Sequence, residues 1–140
     1  MIVPADKRYL LAEVFSQALL DCDADAKPEQ IEAARAKAYR APLLMLVVAC
    51  LGPREPDTPA LERMVAMGAA VQNLLLGAHA LGFGAGRLDS GQAMNSTRLR
   101  ELLSLTEGEN AVCCVNIGTV SSRKPAQPVR PDPSAFTSSL

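Results

Sequence analysis

The chain has few of the residues that metal and nucleic-acid sites need. Its 140 residues include no Trp, three Phe, two Tyr and one His. So few aromatic side chains argue against a stacking platform for single-stranded nucleic acid. With one His and no Cys-x-x-Cys, every recognisable zinc-ligand spacing is incomplete. The formal net charge of −1 leaves no strong field for nucleic acid or an anionic membrane. We therefore expect no metal, no nucleic-acid partner and no membrane partner.

The N-terminal segment MIVPADKRYLL also lacks the apolar core and small-residue cleavage site of a signal peptide. Four cysteines occur, at Cys22, Cys50, Cys113 and Cys114. We interpret them as reduced, mostly buried thiols of a cytoplasmic protein. If Cys113 and Cys114 lie on a strand, adjacent positions place them on opposite faces.

Length and hydrophobic patterning predict one domain over residues 1–140. Three strands are predicted: a strand end at Ile2 and Val3, a buried central strand within 40–52, and a strand over 111–119. Three longer helices are predicted from Asp6 to about Leu20, from Pro28 to about Lys37 and from Pro59 to about Leu81. A short helix capped by Asn95 or Ser96 is predicted before the last strand. Gly82, Gly84 and Gly86 predict a flexible stretch. Proline-rich residues 121–140 predict an extended tail.

The long helix is unusual in its lack of charge: no Asp, Glu, Lys or Arg occurs from Met64 to Gly86. A membrane span is disfavoured by Gln72, Asn73 and His79 within the run. A helix that is apolar nearly all round must be covered on every side, and a chain of this size has little structure with which to cover it. We therefore predict a subunit interface, with a two-fold dimer as the default.

Two nucleotide-binding patterns are absent. GFGAG follows a helix rather than a strand and is not G-x-G-x-x-G, so it fails the dinucleotide fingerprint. No Gly-Lys-Ser or Gly-Lys-Thr of a phosphate-binding loop occurs.

Several segments together resemble the nitroreductase family of flavin enzymes, over about residues 39–140. The segments that carry the resemblance are Gly68–Leu76 (GAAVQNLLL), Ala80–Gly84 (ALGFG), Ser90-Gly91, Asn116–Thr119 (NIGT) and the ending PDPSAF. Members of that family are α+β homodimers with a central, mainly antiparallel sheet flanked by helices. The resemblance places the long helix at the dimer interface. It also implies FMN held between the subunits, reduced by NAD(P)H and reoxidised by nitroaromatics, quinones or related acceptors.

The resemblance also implies particular site residues. The segment of Arg87, Leu88, Asp89, Ser90 and Gly91 is expected to lie against the flavin. Arg123, Lys124 and Arg130 are expected to meet its phosphate, for which Arg and Lys are suitable partners. The nicotinamide cofactor is expected at the end of the long helix, at Gly77, Ala78, His79, Ala80, Leu81 and Gly82. No catalytic side chain is expected, because the flavin supplies the chemistry.

The resemblance has one departure, at the front of the chain. The family begins with a helix and an Arg-Arg-Ser motif that binds flavin, whereas Met1–Pro4 matches the end of the family's first strand. We therefore expect an N-terminally truncated member. Three alternatives stay open: an FMN-dependent oxidoreductase, a cofactor-free dimeric structural or binding remnant, and a related flavin chemistry such as reductive dehalogenation or flavin fragmentation.

Overall fold

The two strongest apolar runs of the sequence form the centre of one antiparallel sheet. A computed structural model describes residues 1–53, 57–88, 91–121 and 131–139. The sheet order is β1 (Ile2–Val3), β2 (Leu43–Cys50), β4 (Glu109–Gly118) and β3 (Gly84–Leu88). The helices are α1 (Arg8–Cys22), α2 (Pro28–Ala36), α3 (Ala60–Ala80) and α4 (Thr97–Leu102). The predicted α+β class is confirmed.

The pairing of β2 with β4 sets the two faces of the sheet. Leu44 lies opposite Asn116 and Leu46 opposite Cys114, and this row faces the main core. The alternate row, in which Met45 lies opposite Val115, faces the side where α3 packs. Since side chains alternate along a strand, the predicted opposite orientation of the two adjacent cysteines is confirmed.

The main core lies between the sheet and α1. Leu11 and Phe15 of α1 are buried against Leu44 and Leu46 of β2, and Leu99 of α4 completes the layer. Burial of each such side chain contributes about 1.5–3 kcal/mol. The short α2 buries only Ala34 among its own residues, so it is a surface helix.

The long helix α3 forms within one residue of its predicted ends. In the single chain, however, only Ala78 of the helix is buried. Its exposed apolar residues include Leu61, Met64, Val65 and Leu76, with Val65 68% exposed. The described residues of this chain therefore leave the rest of α3 uncovered. No helix in the described ranges is long and apolar enough to cross a membrane.

The glycine-rich stretch after α3 is ordered, so the prediction of a flexible segment is wrong. Gly82 has φ of +84° and ends the helix, where the Phe83 and Gly82 amides donate to the carbonyls of Ala78 and His79. Residues 84–88 then form β3, with Gly84 opposite Gly118. Gly84 suits this position because a Cβ there would lie 2.5 Å from the Val120 side chain. The glycines made a strand difficult to predict from the local sequence, because β3 forms through its pairing with β4.

The ends of the chain agree with the predictions as far as the structure describes them. Ile2 and Val3 pair with β2, confirming the strand end. Of the predicted tail, residues 131–139 are exposed and contain one short turn of 3-10 helix, Pro133–Ala135. Residues 122–130 lie outside the described ranges.

The turn after α4 generates a stability prediction. Ser104 has a left-handed φ of 52° at the helix end, whereas Gly108 has φ of +81° and packs on Gly52. We expect Ser104→Gly to raise the free energy of unfolding by about 0.5–1 kcal/mol. Gly108→Ala should lower it by more than about 1 kcal/mol, because the new Cβ would lie 2.5 Å from the Gly52 Cα. Urea unfolding of both variants checks this, and equal effects would contradict it.

Candidate functional site

Two adjoining crevices open at the end of the sheet where β2 begins and β4 ends. The larger has a volume of about 550 Å³ and lies between α3 and the sheet. Its walls are almost entirely carbon, from Leu74 and Leu81, from Phe83, and from Met45 and Ile117 of the sheet. The volume falls in the usual range for a small-molecule site, and the lining suits a flat apolar group.

The smaller crevice, about 280 Å³, continues from the first around the end of β4. Pro42, Gly118 and Thr119 belong to both. Its other walls include the exposed Arg40 and the backbone of Gly86. A Cβ placed on Gly86 would meet no atom within 4 Å, so the space above this part of β3 is open.

Besides Arg40 and Thr119, the described residues of the smaller crevice include one further polar side chain, Asn116. It lies on β4 between Leu44 of β2 and Gly86 of β3. Its Oδ1 is shielded from solvent and accepts no hydrogen bond from the described residues. A buried acceptor without a donor costs about 1–3 kcal/mol, so the atom is suited to accept a hydrogen bond from a ligand.

A third, polar crevice of about 500 Å³ lies on the opposite layer, between the end of α1 and α4. Arg98 and Asp21 form an ion pair in its wall, and both side chains are half exposed. Gln92, which directly follows Gly91, also lines it. The ion pair is exposed enough that it contributes little to stability.

The residues predicted to face a flavin are only partly described. Arg87 is an exposed residue of β3 opposite Val115, Leu88 ends that strand opposite Cys114, and Gly91 begins a short 3-10 helix with φ of 48°. The remaining predicted residues, Asp89, Ser90, Arg123, Lys124 and Arg130, lie outside the described residues. Their roles stay predictions.

The residues predicted to meet the nicotinamide cofactor divide into two groups. Gly77, Ala78 and Leu81 line the larger crevice. His79, Ala80 and Gly82 are exposed and do not line it, and Gly82 serves as the helix-ending residue. The structure thus brings three of the six residues to one surface.

Sequence reasoning assigned no role to Pro42, Phe83 or Asn116, which line these crevices. The signal for Asn116 was a polar residue between Val115 and Ile117 in an otherwise apolar strand. Pro42 and Phe83 had no comparable signal, because each has the character of an ordinary turn or core residue. Only the pairing of β2, β4 and β3 brings the three together.

The cysteines lie away from both crevices. All four are thiols; Cys113 and Cys114 are buried, Cys50 is half-buried and Cys22 is exposed. The prediction of mostly buried thiols is therefore wrong for Cys22, which lies in the exposed last turn of α1. Burial, with a smaller contribution from Cys113, raises the pKa of Cys114 to about 12. A neutral, enclosed thiol of this kind is a packing residue rather than a nucleophile.

The arrangement of helices, sheet and crevices defines the class of protein. It is an α+β protein whose antiparallel sheet carries α1 and α4 on one face and α3 on the other, with ligand-sized crevices at one end. Among the described residues, no group of three His, Cys, Asp or Glu side chains is placed to hold a metal. The sequence profile of the Nitroreductase family matches residues 1–119. The chain therefore belongs to the Nitroreductase family.

Similar proteins agree with this assignment. A curated Haemophilus influenzae protein, provisionally named an NAD(P)H nitroreductase, is 36% identical over 95 residues, covering 68% of this chain and 51% of its own. This chain thus spans about half the length of that relative. A nitroreductase-like family protein from Bacillus cereus has a TM-score of 0.76 at 21% identity, over 100% of this chain and 71% of its own.

A second similar structure is described with its cofactors. It is an FMN and NADPH-dependent nitroreductase from sphigopyxis sp. strain HMH, with a TM-score of 0.67 at 12% identity. The match covers 100% of this chain and 78% of that one. At such identities these two structures establish the fold of the chain and nothing finer.

The Cys114 thiol generates a pH prediction. The folded pKa of the Cys114 thiol is raised above the ordinary value of 9.0. The stability that burial of the neutral thiol contributes is therefore complete below pH 9, and it is lost as the pH rises toward 12. Over that window the loss is about 1.4 kcal/mol per pH unit. Cys114→Val should flatten the fall in the free energy of unfolding between pH 9 and 11, measured by urea titration. Cys22→Val is the control, and an unchanged slope in Cys114→Val would contradict the assignment.

Proposed function

We propose that two copies of this chain form an FMN-dependent oxidoreductase that moves electrons from NAD(P)H, through the flavin, to nitroaromatic, quinone or similar acceptors. The family assignment over residues 1–119 is the observation that carries the proposal. The FMN and NADPH named for one similar structure support it. We also propose that the protein is cytoplasmic, in keeping with its four thiols.

The described residues fit the ring of a flavin. A flavin carries an imide N–H between two carbonyl groups, and a primary carboxamide such as Asn116 complements that edge. Asn116 Oδ1 lacks a donor among the described residues, so a ligand N–H would supply the missing bond. The open space over Gly86 permits a flat group to lie close to the backbone.

FMN, when bound, supplies the chemistry of accepting a hydride and passing electrons on. The chain itself binds, orients and excludes water. Leu74, Leu81 and Phe83 line the larger crevice, on the α3 side of the sheet rather than beside Asn116 and Gly86, and offer an apolar wall there that disfavours water. Arg123, Lys124 and Arg130 are proposed to meet the phosphate, because guanidinium and ammonium groups form charge-assisted hydrogen bonds with it.

The second copy is proposed from the exposure of α3. A helix with only Ala78 buried, and with Leu61 at 76% and Val65 at 68% exposed, presents several apolar side chains to solvent. Clusters of exposed apolar side chains on soluble proteins mark interaction sites. A Cβ placed on Gly68 or Gly77 would meet no atom within 4 Å, so another helix could approach closely there.

The flavin prediction is tested by titrating the purified protein with FMN. We expect saturable binding, seen in absorbance and fluorescence, and bleaching of the bound flavin by NADPH without oxygen. Asn116→Leu should raise the FMN dissociation constant about tenfold, because one hydrogen bond of about 1.4 kcal/mol is lost. Its stability without FMN should stay close to that of the unmodified chain, because the change also removes an unsatisfied acceptor.

Asn110→Leu is the matched control for that titration. Asn110 is exposed on the same strand and away from the crevices. It should bind FMN like the unmodified chain. If the folded dimer fails to bind FMN at all, the oxidoreductase proposal is overturned and the cofactor-free remnant is favoured.

The dimer prediction is tested by sedimentation velocity. Val65→Glu places a charge among the exposed apolar side chains of α3 and should raise the dimer dissociation constant at least tenfold, since burial of an unpaired charge is costly. Tyr9→Glu is the control, because Tyr9 is 61% exposed on α1 in the opposite layer. A monomeric unmodified protein, or equal effects of the two substitutions, would contradict α3 as the interface.

A further inference from the structure

Arg8 is a buried arginine whose described partners are backbone carbonyls. It is the first residue of α1 and only 6% exposed. Its Nη1 donates to the Ala41 carbonyl at 2.6 Å and its Nη2 donates to the Pro42 carbonyl at 2.5 Å. Its Nε is also buried and has no partner among the described residues. Since burial of a charge is costly, these two bonds must compensate a large loss of hydration.

The two carbonyls belong to the residues that directly precede β2. The ladder between β2 and β4 begins one residue later, where Leu43 lies opposite Ile117. Pro42 has no N–H and cannot donate to that ladder. Arg8 therefore ties to α1 a segment that the sheet itself leaves unattached, and its planar fork reaches both carbonyls at once.

Pro42 is held from a second side by β4. A Cβ placed on Gly118 would lie 2.5 Å from the Pro42 Cδ, so the proline ring packs directly on the backbone of Gly118. Arg8 fixes the carbonyl of Pro42 while Gly118 contacts its ring. Because interiors are closely packed, a shift of this residue would move its neighbours as well.

The position of Pro42 matters because this residue is part of the wall of both crevices. Arg8 itself lines neither of them. It therefore cannot contact a ligand there, but it can set the shape of the surface that a ligand meets.

We propose that Arg8 is a positioning residue that fixes Pro42 and thereby the shape of both crevices for the flavin. The inference rests on the proposed flavin function, because FMN is the ligand whose affinity reports the shape. A ligand that fits a preformed wall is bound more tightly than one that must order the wall on binding.

The experiment compares Arg8→Lys and Arg8→Met with the unmodified chain. Lys keeps the charge but offers one compact donor group in place of the fork, so it can hold one carbonyl well. We expect the FMN dissociation constant to rise several-fold in Arg8→Lys and more than tenfold in Arg8→Met. Without FMN, amide hydrogen exchange should accelerate at residues 43–45 and stay unchanged at residues 11–15 in Arg8→Lys.

Two control variants separate positioning from general stability. Arg35→Met removes an exposed ion pair with Glu13 between α2 and α1, and it should leave both readouts unchanged. Leu11→Ala removes a buried side chain of the main core and should lower stability. At a temperature where it stays folded, it should bind FMN like the unmodified chain.

The outcomes distinguish this inference from the proposed function. If the unmodified chain binds no FMN, the proposed function fails, and unchanged exchange at residues 43–45 in Arg8→Lys overturns the role of Arg8 separately. Where FMN binds, an unchanged affinity in Arg8→Lys despite faster exchange overturns the inference. A loss of FMN affinity in Leu11→Ala equal to that in Arg8→Met would also overturn the inference.

Discussion

The antiparallel pairing of β2 with β4 is the constraint on which the rest of the structure depends. It joins residues far apart in sequence, from Leu43 opposite Ile117 to Cys50 opposite Glu109. The pairing decides which residues face α1 and which face α3. It also brings Pro42 beside Gly118, and those two residues, together with Thr119, belong to the walls of both crevices.

The two faces of the sheet differ in how completely the chain covers them. On one face, α1 and α4 bury Leu44, Leu46 and Cys114 completely. On the other, α3 covers the sheet but leaves most of its own surface exposed. A helix apolar nearly all round can be buried only between two partners, and the described residues offer one. The incomplete coverage of α3 by these residues is why we propose a second copy there.

The crevices lack the clustered titratable groups of side-chain catalysis, as far as the described residues extend. The groups they offer are apolar walls, open backbone at Gly86, the amide of Asn116, the exposed Arg40 and Thr119. Such a surface is suited to holding a reactive cofactor in place and keeping water from it. Arg8 lies behind this surface and connects it to α1. In our proposal, recognition by shape thus depends on a residue that touches no ligand.

Local physical chemistry alone determined much of this protein. Apolar periodicity placed α1, α2 and α3, and continuous apolar runs placed β2 and β4, because those patterns reflect burial of a stripe or of both faces. Of the two N-cap residues that the sequence allowed for α4, the structure has Ser96, whose side chain accepts a hydrogen bond from the Leu99 amide. The family resemblance was also readable, because it is carried by short contiguous segments.

Only the tertiary structure decided the rest. β3 was missed because glycine lowers local strand preference, and its partner β4 lies about thirty residues away, with Gly84 opposite Gly118. The roles of Pro42, Asn116 and Arg8 could not be predicted, since each depends on the side chain or backbone that another part of the chain brings to it. Sequence patterns report which surfaces are apolar and how they repeat. Which polar atom is left without a partner, and beside which opening, is settled only when strands distant in sequence are paired.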